Sequence, residues 1–436
     1  MKYLVLFLIL LQSTFASYPE YFGASYSTGM IGNQGNADEN DPSNNYYVPA
    51  ILAFSKSVNF LANASSTATQ FDEIKNVVVT NSTNSSSTTY GNVKTDYPKF
   101  IGGALHFGLP VGYSDKGFLG TLGLSVFLPI GSIIETHSGD PFLPEYVMYR
   151  SRFQRTSIYL NFAKSINDEW AYSLGALLGF QASADVKANL SLNGASYGSW
   201  ARAQSKISPS LGAILSVINK TPLQTWYFTF QQEMKSNLSA HANGEINNPS
   251  LALFDSNIDS VIFYDPYTFR LGGNTTLNDF KLHYGLEYML WSGYQPPTIK
   301  VAKVGGVIVP SSNYEQIVTK DTINPRLGIS YDFTNRVTGA FGLTYRMSPL
   351  DSDFSKSGNS IDTDSLIFST GFQYRIVIWS KDVSVGSSLQ YHHLKDKTVT
   401  KTANQENGNA GTKLGGPGYN IGGYILNASL GVKFNF

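Results

Sequence analysis

Between residues 419 and 436, at the C-terminal end of the chain, apolar side chains fall on every second position: Tyr424, Leu426, Ala428, Leu430, Val432, Phe434 and Phe436. The positions between them, Gly423, Ile425, Asn427, Ser429, Gly431, Lys433 and Asn435, are mostly small or polar. A period of two marks a β-strand with two unlike faces. One face suits hydrocarbon and the other water, as in the wall of a transmembrane barrel.

An edge strand of a soluble sandwich would show this alternation once; here it recurs. In 281–290, Leu282, Tyr284, Leu286, Tyr288 and Leu290 share a face. In 322–333, Ile323, Leu327, Ile329, Tyr331 and Phe333 lie opposite Asn324, Arg326, Ser330 and Asp332. The inward set of 202–217 is Arg202, Gln204, Lys206, Ser208 and Ser210. In 225–235, Trp226, Phe228 and Phe230 point out, and Gln231, Glu233 and Lys235 point in. Arg270, Arg346 and Arg375 fall inward by the same count. An Arg or Lys on the lipid face at mid-membrane costs about 2–4 kcal/mol. A slip of one residue would expose them all.

Composition narrows the class further. No stretch approaches ~20 consecutive apolar residues, so no helix of the mature chain can span a bilayer. Only a closed barrel then satisfies every backbone group in hydrocarbon. Aromatic residues make up 14% of the chain and charged residues 14%, against about 25% charged in a typical soluble domain. Aromatic girdles and an uncharged lipid band account for both. The formal net charge of zero excludes the basic footprint that nucleic acid requires. There is no cysteine, hence no disulfide and no thiol chemistry.

The pattern reads as an all-β fold, a transmembrane β-barrel of about fourteen antiparallel strands. Its connections alternate in length. The short set is 113–117, 166–170, 218–224, 274–279, 334–336 and 377–382, rich in turn residues. The long set is 71–96, 131–151, 241–258, 296–321, 349–362 and 399–417. Short turns on one side and long loops on the other are how outer-membrane barrels face periplasm and exterior. A terminal Phe on the lipid face resembles the targeting signal of such barrels. The chain begins with Lys2 and the apolar run 3–11, followed by Thr14 and Ala16, so residues 1–16 read as a secretory signal cleaved after Ala16. The expected division is signal 1–16, an N-terminal segment 17–53 and a barrel 54–436, placed in a Gram-negative outer membrane.

The segment 17–53 is rich in Gly, Asn and Asp and weakly patterned. Composition alone leaves both a plug inside the barrel and a disordered periplasmic tail open. Its run GMIGNQGNADENDPSNNYYVPAILA resembles the hatch of the FadL family, outer-membrane transporters of long-chain fatty acids and aromatic hydrocarbons. Gly29, Gly32, Asp41, Ser43, Tyr47, Pro49 and Ala50 match that motif, and Val48 stands where the family has Asn. GLSVFLPIG (123–131) and SIYLNFAKSINDEWAYSLG (157–175) are similar to further stretches of the family.

The resemblance implies a hatch inside the lumen and energy-independent uptake of hydrophobic compounds. A greasy external groove captures the ligand, the lumen binds it, the hatch shifts, and a gap in the wall lets it leave sideways. On that reading Phe142, Leu143, Tyr146, Val147 and Met148, with Pro141 and Pro144, form the capture loop; a loop folded into the barrel mouth for its own stability fits them as well. A second apolar loop carries Val304, Val307, Ile308 and Val309. Arg155, Arg202, Lys206, Arg326 and Arg375 are the cations available for a carboxylate head, unless lumen acids such as Glu233, Glu287 and Asp332 take them. Phe127, Tyr159 and Trp291 are candidates to line the tail pocket. Gly120, Gly123 and Pro129 make the third strand the one most apt to bend.

The expected partners are a fatty acid or hydrocarbon, lipopolysaccharide and outer-membrane lipid, with the chain working as a monomer and without cofactor or metal. Enzyme chemistry finds little support. Gly194–Gly198 matches G-x-S-x-G but lies between strands, with no His or Asp placed for it. His392 and His393 are adjacent and point to opposite faces of a strand. Asp351, Asp353, Asp362 and Asp364 crowd one external loop, which reads as a solvated acidic loop far more readily than as a calcium site. A general diffusion porin is the alternative, opposed by the N-terminal segment and the apolar loops. An outer-membrane lipid hydrolase and a surface adhesin have no specific residues in their favour.

Overall fold

The structure, a computed structural model, describes residues 19–81, 87–94, 100–114, 117–129, 145–149, 157–190, 200–246, 254–294, 300–304, 307–308, 318–350, 360–399, 412–415 and 419–436. Among these, fourteen strands close into a barrel. The first seven are β1 (Asn59–Phe71), β2 (Phe100–Ser114), β3 (Gly117–Pro129), β4 (Ser157–Ser165), β5 (Trp170–Leu190), β6 (Trp200–Lys220) and β7 (Gln224–Gln231). The second seven are β8 (Tyr267–Leu277), β9 (Phe280–Leu290), β10 (Thr322–Asp332), β11 (Val337–Arg346), β12 (Ser365–Ile378), β13 (Lys381–Val399) and β14 (Tyr419–Asn435). Each pairs antiparallel with its successor. β1 closes the ring on β14, from Asn59↔Asn435 to Phe71↔Gly423. Closure leaves neither the first nor the last strand with a free edge, as hydrocarbon demands.

The faces follow the alternation. On β14, Asn427, Ser429 and Lys433 are buried while Leu426 and Leu430 are exposed. On β10, Asn324, Arg326 and Ser330 are buried while Ile323, Leu327 and Ile329 are exposed. The short turns lie at one end, together with the chain's approach to β1 and with Phe436, whose N–H donates to the Val58 carbonyl (2.9 Å). That end is periplasmic.

The lumen is filled. Helices α1 (Pro19–Phe22), α2 (Tyr26–Gly29) and α3 (Asn44–Tyr47) and a 3-10 turn (Pro49–Phe54) lie inside the wall, almost wholly buried. These helices are single turns, too short to stand alone; the wall holds them.

The outer end departs from the expected loops. Ile74–Asn81 pairs with Ser87–Val93 and with Thr412–Gly415. Beyond β7, Met234–Ile246 pairs with Phe254–Asp265, and that with Lys300–Val304. β5 and β6 continue as a ribbon after β4 has ended at its Ile158↔Leu178 pair, and Met234–Ile246 pairs with the edge of β5 that β4 leaves. Alternation also breaks at Gln232–Glu233, where the chain bends: Gln231 faces in, but Lys235 is part-exposed and paired with Glu233 (2.8 Å).

Candidate functional site: the hatch and the lumen it fills

Asp41 organises the hatch from within. Its carboxylate accepts from the Ser43 N–H (3.0 Å) and hydroxyl (2.6 Å), the Asn36 amide (2.7 Å) and the Ser27 hydroxyl (2.5 Å). It thereby ties α2 to the start of α3. Tyr47 donates to the Pro19 carbonyl (2.9 Å) and joins α3 back to α1. Val48 ends α3, its N–H on the Asn44 carbonyl (2.8 Å), and Pro49 opens the 3-10 turn, with Ala50 fully buried. The hydrogen bonding toward the wall comes from Asn45, which donates to Ser125 Oγ (3.1 Å) and the Tyr159 carbonyl (3.1 Å) and accepts from Asn161 (3.0 Å).

Asn33 pins the opposite side. It sits at φ 57°, a left-handed conformation that Asn tolerates. Its amide donates to the Tyr21 carbonyl (2.6 Å) and accepts from Gln390 (2.7 Å), and its own carbonyl takes a bond from Arg326. Gln390 also donates to the carbonyls of Phe22 (3.0 Å) and Gly29 (3.1 Å). Gly32, at φ +88°, lies against Leu327 and Thr344.

The wall is thinned where the hatch touches it. A Cβ on inward Gly328 would stand 2.4 Å from the Ile31 carbonyl oxygen, and one on Gly342 2.2 Å from the Gly32 nitrogen. On Gly386 and Gly431 it would strike the Tyr26 ring, at 2.1 and 2.6 Å. Gly328↔Gly342 and Gly386↔Gly431 are directly paired, so adjacent strands give up side chains at one level to let hatch backbone and ring approach. Gly123 serves Asn45 in the same way, at 2.3 Å.

Buried charge concentrates in three places. Arg270 and Arg326 share Glu287, with Arg270 Nε donating at 2.8 Å. Arg270 also donates to the Tyr46 hydroxyl (2.9 Å) and lies over its ring (4.4 Å), so two wall cations hold the hatch. Toward the exterior, Arg346 donates to Asp362 (2.8 Å) and to the hydroxyls of Tyr21 (2.9 Å) and Tyr149 (3.1 Å). An aromatic group surrounds it: Tyr21 edge-on to Tyr149 (5.5 Å), Phe71 stacked on Tyr146 (4.2 Å), and Phe22 near His392 (5.2 Å). Toward the periplasm, the hatch loop carries Asp38, paired with Lys433 (2.6 Å), and Glu39, paired with Lys220. β14 and β6 stand on nearly opposite sides of the ring, so this loop straps across the mouth. It borders a polar vestibule of about 660 Å³ that Lys281, Arg336 and Arg375 also line. Burial alone would raise the Asp38 carboxyl; the adjacent Lys433 ammonium overrides it and holds the group below the ordinary carboxylate range.

Phe142, Leu143 and Arg155 lie outside the described residues, as do residues 1–18 and the G-x-S-x-G stretch. Tyr146 and Met148 are fully buried under the outer mouth, and Val147 begins the 3-10 turn Val147–Tyr149. Arg202 and Lys206 are not in the lumen: they stand exposed on the ribbon, because β6 outlasts the wall that would have enclosed them. Arg326 is buried but bound to Glu287 and Asn33, and Arg375 lines the vestibule, 3.9 Å from Asp332. Phe127, Tyr159 and Trp291 are buried inward. The third strand is β3. Its ladder to β2 includes Pro129, and its ladder to β4 runs from Phe127 only to Thr121, ending beside Gly120 at φ +155°. A Cβ there would lie 2.5 Å from the Ala163 carbonyl oxygen. No local pattern in the sequence marks Asn33, Asn45 and Asn161 as hatch anchors, or the inward Arg346 and Glu287 as their partners in holding it. The signal was present as glycines at inward positions of consecutive strands.

Residues 24–422 match the family described as outer membrane protein transport protein (OMPP1/FadL/TodX). No curated protein matches the chain by sequence. Among solved structures, a Pseudomonas aeruginosa FadL homologue superposes with a TM-score of 0.64 at 15% identity, over 94% of this chain and 98% of the other. The P. putida toluene transporter TodX gives 0.57 at 12% identity, over 95% and 99%. The Ralstonia pickettii toluene transporter TbuX gives 0.50 at 11%, over 95% and 99%. At these identities the likeness speaks for the fold.

Proposed function

Because the chain belongs to the outer-membrane transport protein family of FadL and TodX, we propose that it carries long-chain fatty acids or other hydrophobic compounds, toluene among them, through a hatch-gated route. Passive uptake of hydrophobic compounds across the outer membrane is the work of this family, and the chain is not an enzyme. The carrying observation is the sealed lumen: residues 19–54 occupy it and bond to the wall on both sides, through Asn45 and through Asn33. A general diffusion porin needs an aqueous bore there.

In this reading Phe142, Leu143 and Val147 gather the ligand at the mouth, above Tyr146 and Met148, which are buried beneath it. The aromatic group of Tyr21, Phe71, Tyr146 and Tyr149 receives it. Arg346 is the cation beside that group, and Asp362 already neutralises it, which favours uncharged ligands over carboxylates. Movement of the hatch means exchanging its polar pins, and those are hydrogen bonds worth about 1 kcal/mol each net. Release is sideways, at the level of Gly120. Lipopolysaccharide and membrane lipid surround a single working chain.

The test is uptake of labelled toluene and of a labelled long-chain fatty acid by cells lacking other such transporters, with and without this protein. Faster uptake of either supports the reading, and toluene is expected to gain more. Equal rates for both remove it.

A further inference from the structure

The wall is not sealed in the same way all round. β6 and β7 are hydrogen-bonded from Lys220↔Thr225 to Ile214↔Gln231. One more contact follows, with the Gln232 N–H on the Ala213 carbonyl (2.8 Å) and the Ala213 N–H on the Gln232 side chain (3.1 Å). Beyond it the chain leaves β6. Met234–Ile246 pairs instead with β5, in parallel, from Leu238↔Ala182 to Ile246↔Leu190. β6 holds the other edge of β5 throughout that stretch. The chain therefore crosses both strands of the ribbon to reach the far edge. The β5 edge it reaches is the one that β4 leaves vacant above Leu178.

The crossing runs on the lumenal side. Met234 is 2% exposed. A Cβ on inward Gly212 would stand 3.7 Å from Met234 Cβ, and one on inward Gly179 2.6 Å from Met234 Cε. Ser210 Oγ donates to the Lys235 carbonyl (3.2 Å). The ribbon thus lies over the crossing chain as a lapped joint, and Met234 on two glycines fills the overlap.

Such a joint differs in kind from a ladder. Parting a ladder in hydrocarbon strands backbone groups at several kcal/mol each. Parting the overlap breaks one hydrogen bond, Ser210 Oγ to the Lys235 carbonyl, and otherwise costs the dispersion contacts of one flexible thioether. Lipid-facing apolar side chains flank it outside, with Leu211 63% and Leu215 45% exposed. Inside stand buried Tyr264, Trp291 and Tyr294, their rings 5.8 to 6.1 Å apart, with Tyr264 paired to Lys235 of the crossing chain.

We propose that apolar substrate dissolved in the outer leaflet enters the lumen sideways through the lapped joint between β6 and β7, with Met234 as its gate and the Tyr264–Trp291–Tyr294 group as its first binding site. This rests on the transport reading above and adds a side door at the outer half of the wall, far from the level of Gly120.

The chain has no cysteine, so the pair Gly212→Cys and Met234→Cys forms one disulfide or none. The 3.7 Å separation falls in the disulfide range of about 3.5–4.5 Å. Labelled toluene uptake is measured in cells with the double variant, oxidised and then reduced, beside each single variant and the unaltered protein. The oxidised variant, verified as cross-linked by gel mobility, is expected to lose at least five-fold in rate and to recover on reduction. A cross-linked protein that carries toluene at the unaltered rate overturns the proposal. If the unaltered protein itself carries none, the transport reading fails first, and visibly so. Should the double variant not assemble, Met234→Ala and Met234→Trp decide: faster and slower uptake support the gate, and equal rates overturn it.

Discussion

Arg270 and Glu287 lie on adjacent strands, directly opposite each other, and meet at 2.8 Å with both side chains sealed from solvent. Arg326 leans on the same carboxylate from the other side. Removing the shared acid leaves two guanidinium groups buried without a counter-charge, a loss of the kind that costs about 3–5 kcal/mol. Glu287→Gln is therefore expected to lower the urea midpoint of the folded barrel sharply and to loosen the hatch, since Arg270 also holds Tyr46. Unfolding followed by gel mobility measures the first effect, and amide exchange of residues 19–54 the second.

The glycine footprint makes a separate prediction. Gly386→Val places branched carbon where the Tyr26 ring lies, and overpacking of this kind costs about 1–3 kcal/mol. The barrel should still assemble, because its ladders do not involve that side chain. The hatch should seat poorly, and cells carrying the variant should become sensitive to a hydrophilic antibiotic that the unaltered protein excludes. Unchanged resistance would mean that the hatch does not bear on this part of the wall.

The periplasmic strap should respond to acid. The Asp38 carboxyl is held below its ordinary value, so its contribution is complete at pH values above the unfolded carboxylate range, about 4, and is lost as pH falls through the lowered folded value. The side chain is 44% exposed, so solvent screens the pair and the effect is modest. The protection of residues 36–41 against amide exchange, taken relative to the intrinsic rate at each pH, should fall below about pH 4 and hold steady from there to neutrality. Asp38→Asn should remove most of that dependence.

Parity made the wall legible in the sequence. Each side chain that alternation turned outward on β14 and β10 is on the outer face, because one face meets oil along the whole strand. The hatch run 29–50 was legible from a motif. What stayed hidden depended on three dimensions. Lys206 and Arg326 have the same inward parity, yet one stands in solvent above the wall and the other under the hatch, because parity gives direction and not height. Gly386 and Gly431 announce a close approach only when paired across strands, and pairing is not written in either strand alone. The lapped joint arises where the chain leaves β6 at Gln232–Glu233, for which the sequence carries no distinctive signal beyond a break in alternation.

The account stands on a lumen closed to water and ions and open to apolar solutes. Current through the purified protein in a planar bilayer tests that most directly, beside a variant lacking residues 19–54. The intact protein should show no steady ionic current, and the truncated barrel should show large regular steps. Steady porin-like conductance from the intact protein would contradict the account.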